Sequence, residues 1–421
     1  MRIRSLLSSR LVQWAAALAL ALAAGCSALP RITPEMAQRR AATPVQVEGS
    51  HGLLSPARSK AILDTLKSRR QDTNIFERHL ALEEAVAGGP LVAGNKAVLL
   101  QDGPATYQAM FAAIRDARDH INMETYILDD DEIGRRFADA LIAKQQQGVQ
   151  VNLIYDSVGA LQTPAEFFQR LRAAGIKVLE YNPVNPLTAR VGWNINQRDH
   201  RKLLIADGRT VFLGGLNISG VYSGSSASRP AKRAGATLPW RDTHLQIEGP
   251  VVASFQKQFL ETWQKQHGDA LASRNYYPTL ASRGSEVVHA IASSPDDEFS
   301  AIYATLISAI ESAETSVLLT NAYFAPDPQL LAALKGAAAR GVDVKLLLPS
   351  TTDSALILHV GRSYYDELLR AGVKIYERRE ALLHSKTALI DGVWSTVGST
   401  NLDWRSFLHN QETNAVILGP E

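Results

Sequence analysis

Two short segments of the chain carry a histidine, a lysine and an aspartate at the same spacing. Residues 199–208 read DHRKLLIADG and residues 383–392 read LHSKTALIDG. The residues that the shared pattern H-x-K-x4-D-G aligns are His200, Lys202, Asp207, His384, Lys386 and Asp391. A pattern this specific should not recur by chance in a chain of 421 residues. The sequence therefore predicts a duplicated chemical site.

The apolar residues after each lysine predict a β-strand, in which residues two apart face the same side. Histidine and lysine of each copy should therefore project together. The Asp-Gly that follows, before another apolar run, is typical of a tight β-hairpin turn. Asp207 and Asp391 are included among the catalytic candidates. Their turn positions nevertheless favour a local structural role over a chemical one.

Two further matches follow each copy of the pattern. Asn217 and Asn401 each come seventeen residues after the histidine, and Asp242 and Glu412 each precede a threonine and a predicted strand. These residue types suit phosphodiester chemistry without a metal or another cofactor. One histidine would act as nucleophile and the other as general acid, lysines and asparagines would hold phosphate oxygens, and the two acids would orient the imidazoles.

Predicted strands and helices alternate around both copies. The expected elements in the first half are strands near 97–100, 121–127, 149–155 and 176–180 with helices near 107–118, 133–147 and 165–174. The same order returns from about residue 299, and a polar stretch over 268–284 separates the halves. This predicts two pseudo-symmetric α/β sandwich domains, residues 92–270 and 285–421, each with a mixed, largely parallel sheet flanked by helices.

With these features the chain resembles the phospholipase D superfamily, and more closely the bacterial cardiolipin synthases. The segments that carry this closer resemblance are 200–202 with 214–217, 240–243, 322–327 and 398–407. The resemblance implies a phospholipase D-like fold and a phosphatidyl transferase that uses phosphatidylglycerol. It also implies that His200 attacks the phosphate to form a phosphohistidine while His384 protonates the leaving alcohol. A phospholipase D hydrolase, a nucleic-acid phosphodiesterase and an inactive lipoprotein remain as alternatives.

The composition bears on these alternatives. Lys and Arg number 44 against 42 for Asp and Glu, so the chain lacks the strongly basic balance of a dedicated nucleic-acid binder. No nucleic-acid partner is expected, and the substrate is expected to be a phospholipid. The sequence carries no signal for an oligomeric state.

The N-terminus predicts export and lipid anchoring. Residues 1–25 have a basic start and an apolar stretch that is short for a membrane span, and they end before Cys26, the one cysteine of the chain. The segment resembles a lipoprotein signal that is cleaved before an acylated Cys26, with an uncleaved anchor as the alternative. The chain is then expected in the cell envelope, attached to a membrane surface through the anchor, at the periplasmic face of the outer membrane.

Three further regions carry expectations. Residues 26–58 are predicted to be a tether, and residues 59–91 a helical lead-in packed on the first domain. The first half also has longer loops over 184–197 and 220–239, which are either surface insertions or a lid with Arg229, Lys232 and Arg233.

The end of the second half lacks one predicted element. A helix over 251–266 with Phe255, Phe259 and Trp263 follows the last strand of the first half, and no counterpart follows the aligned strand over 413–420. The matching final helix is therefore predicted to be missing from the second domain, either because the sequence is a fragment or because another element substitutes. An uncovered apolar patch is expected in its place.

Overall fold

The computed structural model describes residues 45–68, 73–188, 192–224, 240–379 and 381–419. The first described elements are β1 (Val47–Gly49), β2 (Gly52–Leu53), α1 (Pro56–Ser68), α2 (Ile75–Arg78) and α3 (Leu80–Ala87). The prediction of a tether as far as residue 58 is wrong for its last part. There, β1 pairs with β2 and with the first long strand of the body through Val47 and Leu91. Cys26 and the predicted signal lie outside the described residues.

The first half contains the predicted alternation of strands and helices. Its elements are β3 (Leu91–Leu100), α4 (Gly103–Asp116), β4 (His120–Thr125), α5 (Glu132–Gln146), β5 (Gln150–Asp156), α6 (Ala165–Ala173), β6 (Lys177–Tyr181), β7 (Arg198–Asp199), β8 (Leu203–Ala206), β9 (Thr210–Gly214), β10 (Trp240–Arg241), β11 (His244–Glu248) and α7 (Val252–Lys265). Two short 3-10 turns, Pro186–Thr188 and Gly220–Tyr222, lie in its loops.

The second half repeats this order up to its last strand. Its elements are β12 (Glu286–Ser293), α8 (Ala301–Ser312), β13 (Ser316–Asn321), β14 (Phe324–Ala325), α9 (Pro328–Ala339), β15 (Asp343–Pro349), α10 (Ala355–Ser363), α11 (Tyr365–Arg370), β16 (Lys374–Arg378), β17 (Leu382–Leu383), β18 (Lys386–Ile390), β19 (Trp394–Gly398), β20 (Leu402–Asp403), α12 (Trp404–Leu408) and β21 (Asn410–Leu418). Two repeated α/β halves are thus confirmed.

The helix boundaries follow local sequence signals that the two halves share. The carboxylates of Asp131 and Asp327 accept backbone N–H groups in the first turns of α5 and α9. Gly148 and Gly341 follow those helices with φ of 87° and 89°, a conformation that glycine adopts without a steric penalty. The aspartates thus mark where each helix begins, and the glycines mark where it ends before the next buried strand.

Each half forms a mixed sheet with the same strand order. In the first, β4, β5 and β6 are parallel, whereas β8, β9, β11 and β3 add to the sheet in antiparallel pairs. The second half repeats this with β13, β15, β16, then β18, β19, β21 and β12. The expectation of a largely parallel sheet is therefore wrong, because the hairpin after each H-x-K segment adds antiparallel strands on one side.

The two sheets join through an antiparallel pairing of β3 with β12. One sheet therefore continues from the first half into the second, with its pseudo-twofold axis at this pair. Two short parallel pairings also cross between the halves: β7 pairs with β21, and β10 pairs with β17. These short pairings determine which side chains meet at the site.

Burial differs between the halves on one face of the sheet. In the first half, α7 packs on this face and joins a core that includes Ile154, Leu203 and Ile205. Their counterparts in the second half, Leu347, Thr387 and Leu389, are only half-buried. Where an uncovered apolar patch was predicted on the second half, these side chains are therefore partly exposed.

The helical lead-in packs on the second half, and the expectation that it packs on the first is wrong. The Glu83 carboxylate accepts from the indole Nε1 of Trp394 at 2.8 Å and contacts Nδ1 of His289 at 2.9 Å. His79 contacts Ser308 on α8 at 2.9 Å. These groups lie on the face opposite to Thr387 and Leu389. Among the described residues no helix is long and apolar enough to cross a membrane.

Candidate active site

Each histidine of the repeated pattern lies beside an acid from the other half. The β7–β21 pairing aligns Arg198 with Asn410, and the His200 N–H donates to the Gln411 carbonyl at 3.0 Å. The β10–β17 pairing likewise lets the His384 N–H donate to the Arg241 carbonyl at 2.7 Å. The next residue on each partner strand is the predicted orienting acid, so the pairs His200–Glu412 and His384–Asp242 cross between the halves.

His200 is held against an ionised carboxylate. Its Nδ1 lies 3.1 Å from both carboxylate oxygens of Glu412, and the Ser399 hydroxyl donates to the same carboxylate. Burial would raise the pKa of Glu412, but the adjacent His200, Lys202 and Ser399 lower this pKa to about 2. Burial lowers the pKa of His200 to about 4 despite the attraction of Glu412. Near neutral pH this gives a neutral imidazole that donates through Nδ1 and keeps a free electron pair on Nε2.

His384 has a different environment. Its Nδ1 lies 2.6 Å from the Asp242 carboxylate and 3.3 Å from the Tyr222 hydroxyl. Burial raises the pKa of Asp242 to about 6, against the attraction of Lys386. Burial and repulsion from Lys386 and Lys202 hold the pKa of His384 well below its usual range. An anion bound near these lysines would offset that repulsion and favour a proton on His384.

The two lysines of the pattern are buried at the same place. Lys202 and Lys386 each donate to the backbone carbonyl of the histidine two residues earlier. The Lys202 ammonium also lies 5.3 Å from the ring centre of Tyr126. Burial and mutual repulsion lower the pKa of Lys202 to about 7, and burial lowers the pKa of Lys386 to about 8. Two buried lysines beside the histidines can stabilise the negative charge of a phosphate group.

Both histidines line one open cavity of about 500 Å³. Asn217 and Asn401 also line it, where they were expected. The Asn217 side chain is occupied, since its oxygen accepts from the Ile127 N–H at 3.1 Å and its nitrogen donates to Tyr222 at 3.1 Å. The Oδ1 atom of Asn401 is buried without a hydrogen-bond partner. Asn401 therefore has the freer side chain for a ligand.

The cavity wall contains residues that the sequence reasoning did not assign. Ring centres lie 5.1 Å apart for Tyr126 and His200 and 5.0 Å apart for Trp240 and His384. Tyr323 stands edge-on to His384 at 6.0 Å and donates to Asp353 at 2.6 Å. Trp240 and Tyr323 belong to the segments that carry the family resemblance, so the sequence could have identified them as site residues. Tyr126 and Asp353 carry no such signal.

The aspartates of the repeated pattern anchor turns. Asp207 has φ of 53°, and its carboxylate accepts the backbone N–H groups of residues 118–120. Asp391 has φ of 51° and accepts those of residues 314–316 as well as the Thr73 hydroxyl. Each lies at the end of its strand away from the histidine. Their inclusion among catalytic candidates is therefore corrected: their bonds serve the hairpins, and we assign them no chemical step.

A second polar cluster lies behind His200, and among the residues that the structure describes it has no counterpart behind His384. The Arg201 guanidinium donates to the Glu412 carbonyl at 3.2 Å and lies 3.9 Å from the Glu124 carboxylate. Burial raises the pKa of Asp199 well above its usual range, and the neighbouring Glu124 raises it further. Ser385 occupies the position of Arg201 in the second copy. Within the described ranges, no group of three His, Cys, Asp or Glu side chains could hold a metal ion.

Comparison with known proteins first gives the fold class. The crystal structure of the phosphatidylserine synthase of Haemophilus influenzae Rd KW20 superposes with a TM-score of 0.56 at 14% identity and covers 80% of this chain and 86% of that one. At this identity the likeness shows the fold alone. The expected phospholipase D-like fold is confirmed.

The sequence comparisons then give the family. The profile of the family described as "Cardiolipin synthase, PLD-like domain" matches residues 110–223 and 306–421. The cardiolipin synthase of Geobacillus kaustophilus is 38% identical over 341 residues, and cardiolipin synthase 2 of Bacillus anthracis is 39% identical over 321 residues. These alignments cover 80% and 76% of this chain, but 66% and 60% of those proteins. The chain belongs to the phospholipase D-like family of cardiolipin synthases.

Proposed function

We propose that the protein is a phosphatidyl transferase of the cardiolipin-synthase type that uses phosphatidylglycerol. The observation that carries this proposal is the crossed arrangement of His200–Glu412 and His384–Asp242, in which both histidines line one cavity. Behind each histidine a buried lysine donates to its backbone carbonyl. The arrangement provides a nucleophile, an acid and cations within the same site. The names of the relatives support the choice of substrate class.

In the first step, Nε2 of His200 attacks the phosphorus of one phosphatidylglycerol. The N–P bond forms as the bond from phosphorus to the headgroup glycerol oxygen breaks, and His384 gives that oxygen a proton. Lys202 and Lys386 stabilise the charge that develops on the phosphate oxygens. Phosphatidyl-His200 and free glycerol result.

In the second step, a headgroup hydroxyl of another phosphatidylglycerol gives its proton to His384 and attacks the same phosphorus. The N–P bond breaks and cardiolipin leaves. Two phosphatidylglycerol molecules thus yield one cardiolipin and one glycerol, and the enzyme returns to its starting protonation state. Water in place of the second lipid would give phosphatidic acid, which is the hydrolase alternative.

The test is an incubation of purified protein with phosphatidylglycerol vesicles, followed by analysis of both lipid products and glycerol. The proposal expects about one glycerol released for each cardiolipin formed, and the same yield with a chelator present. Phosphatidic acid with glycerol would assign hydrolysis instead. A preparation that turns over a nucleic-acid phosphodiester, and no lipid, would overturn the proposed substrate class.

We also propose that Cys26 is acylated and holds the protein at the periplasmic face of the outer membrane. The supporting observation is the basic and apolar segment that ends at Leu22-Ala-Ala-Gly-Cys26. Labelled fatty acid should be incorporated into the wild-type chain and not into Cys26→Ser. Recovery of the wild-type protein in a soluble fraction after cell breakage would contradict the anchor.

A further inference from the structure

Several large apolar side chains are exposed in the segments that connect strands, either in loops or in the first turn of a helix. They are Leu161, Leu187, Ile195, Leu356 and Trp404. The side chains of Leu187 and Leu356 are 92% and 73% exposed, although folding normally buries leucine. Exposed apolar groups that surround a functional cavity, with polar residues between them, are typical of interaction surfaces.

The topology places these loops around the mouth of the candidate active site. Loops that follow parallel strands emerge at the carboxyl edge of the sheet. Leu161 follows β5, Leu187 and Ile195 lie between β6 and β7, and Leu356 follows β15. The cavity lies at the carboxyl ends of the parallel strands of both halves, because Tyr126 after β4 and Tyr323 after β13 both line it.

Direct contacts connect the second-half segments to the cavity and to one segment of the first half. Ile357, next to Leu356, lines the cavity together with Trp404 and Arg405. The Arg405 guanidinium donates to the side-chain oxygen and the carbonyl of Asn196, each at 3.1 Å. These bonds hold the loop that carries Ile195 beside the helix that begins at Trp404.

We propose that the ring formed by these connecting segments docks on a phospholipid bilayer, with Leu187 and Leu356 inserted at the boundary between headgroups and acyl chains. The exposed side chains stand on separate segments around an open cavity and do not form a continuous groove. A protein seated on the ring would close the entrance that a substrate must use, whereas a bilayer supplies lipid through it. Docking also places Arg405 at headgroup depth, where it can pair with phosphate groups.

This inference rests on the proposed function for the lipid that enters the cavity, but docking can be measured separately. An environment-sensitive fluorophore is attached to Leu356→Cys and, as a matched control, to Leu369→Cys, which is 53% exposed on α11. The wild-type chain treated in the same way gives the background from Cys26. On phosphatidylglycerol vesicles with brominated acyl chains, the probe at position 356 should be quenched at least about threefold more than the probe at position 369.

The second measurement is turnover. L187D/L356D is compared with L53D/L369D, which places the same charges at exposed leucines outside the ring. Turnover of phosphatidylglycerol in vesicles should fall at least about tenfold in L187D/L356D relative to the control variant. Turnover of dihexanoyl phosphatidylglycerol below its critical micelle concentration should be equal in the two variants.

The outcomes separate this inference from the proposed function. Equal vesicle turnover in the two double variants, or equal quenching at positions 356 and 369, would overturn docking. Loss of self-association in L187D/L356D with vesicle turnover unchanged would assign the ring to a second copy and overturn it as well. If the wild-type protein turns over neither lipid form while position 356 is quenched, the proposed function fails and docking stands.

Discussion

The two halves present the same backbone arrangement to the cavity but surround their histidines differently. Glu412 beside His200 has a pKa lowered to about 2, whereas Asp242 beside His384 has a pKa raised to about 6. Arg201 and a carboxyl pair lie behind His200, and Ser385 stands at the matching position near His384. Duplication therefore supplies the geometry, and the surrounding charges differ between the two histidines.

The strongest test of this comparison separates the two histidines. Both His200→Ala and His384→Ala should lose at least about 10⁴-fold of turnover on phosphatidylglycerol. A phosphatidyl ester of p-nitrophenol needs no proton on its leaving group. His384→Ala should therefore release a burst of about one p-nitrophenolate per site, and His200→Ala none. A burst from His200→Ala alone would reverse the assignment.

The next test compares the orienting acids. Glu412→Gln should reduce kcat by about 10³-fold, because it removes an ionised carboxylate that fixes the proton on Nδ1 of His200. Asp242→Asn should reduce kcat by only about tenfold, because this carboxyl is closer to its neutral form. Steady-state kinetics near neutral pH measure both. Equal losses would mean that the two pairs act alike.

A stability measurement probes the cluster behind His200. Arg201→Met should lower the free energy of unfolding by about 3 kcal/mol at pH 8, because Glu124 and Asp199 lose their buried cation. The loss of stability should become smaller towards pH 5. Carboxyls whose pKa is raised in the folded state destabilise that state increasingly as the pH rises and they ionise, and the variant lacks the cation that offsets this. Ser385→Ala should cost less than about 1 kcal/mol, and a pH-independent loss in Arg201→Met would contradict the charge explanation.

The smallest expected difference is between the turn aspartates. Asp207→Asn and Asp391→Asn should keep turnover within about threefold, because asparagine tolerates the positive φ and keeps one acceptor oxygen. Asp391→Asn should lose about 1 kcal/mol more stability, since Thr73 also donates to Asp391. Denaturant unfolding with activity assays checks both. A hundredfold loss of kcat with unchanged stability would restore a chemical role.

The features that the sequence predicts best are local or repeated. The Asp-Gly turns, the glycines after helices and the doubled spacing of His200 and His384 all have local signals, and the structure has the corresponding turns, helix ends and hairpins. The number of antiparallel strands in each sheet was not predicted from the sequence. The hairpin after each H-x-K segment determines a strand direction that the alternation of helices and strands does not reveal.

Contacts between residues that are far apart in the chain have no comparable signal in the sequence. Residues 200 and 412 lie 212 positions apart, and their contact depends on the pairing of two-residue segments between the halves. The docking of the lead-in on the second half depends on similarly distant contacts, such as Glu83 with Trp394. In the sequence, Arg201, Glu124 and Asp199 cannot be distinguished from ordinary surface charges. The cluster is recognised only in the structure, where the three side chains are buried together.

The crossed pairs also determine when a newly synthesised chain can complete its candidate active site. His200 has no carboxylate until Glu412 is synthesised and β21 has paired with β7. At typical rates of ~5 to 20 residues per second, this separation corresponds to ~10 to 40 s of synthesis. During that interval, a first half that has already folded carries His200 without the carboxylate that contacts its Nδ1. Under the proposed function, turnover would therefore begin only when both halves have paired.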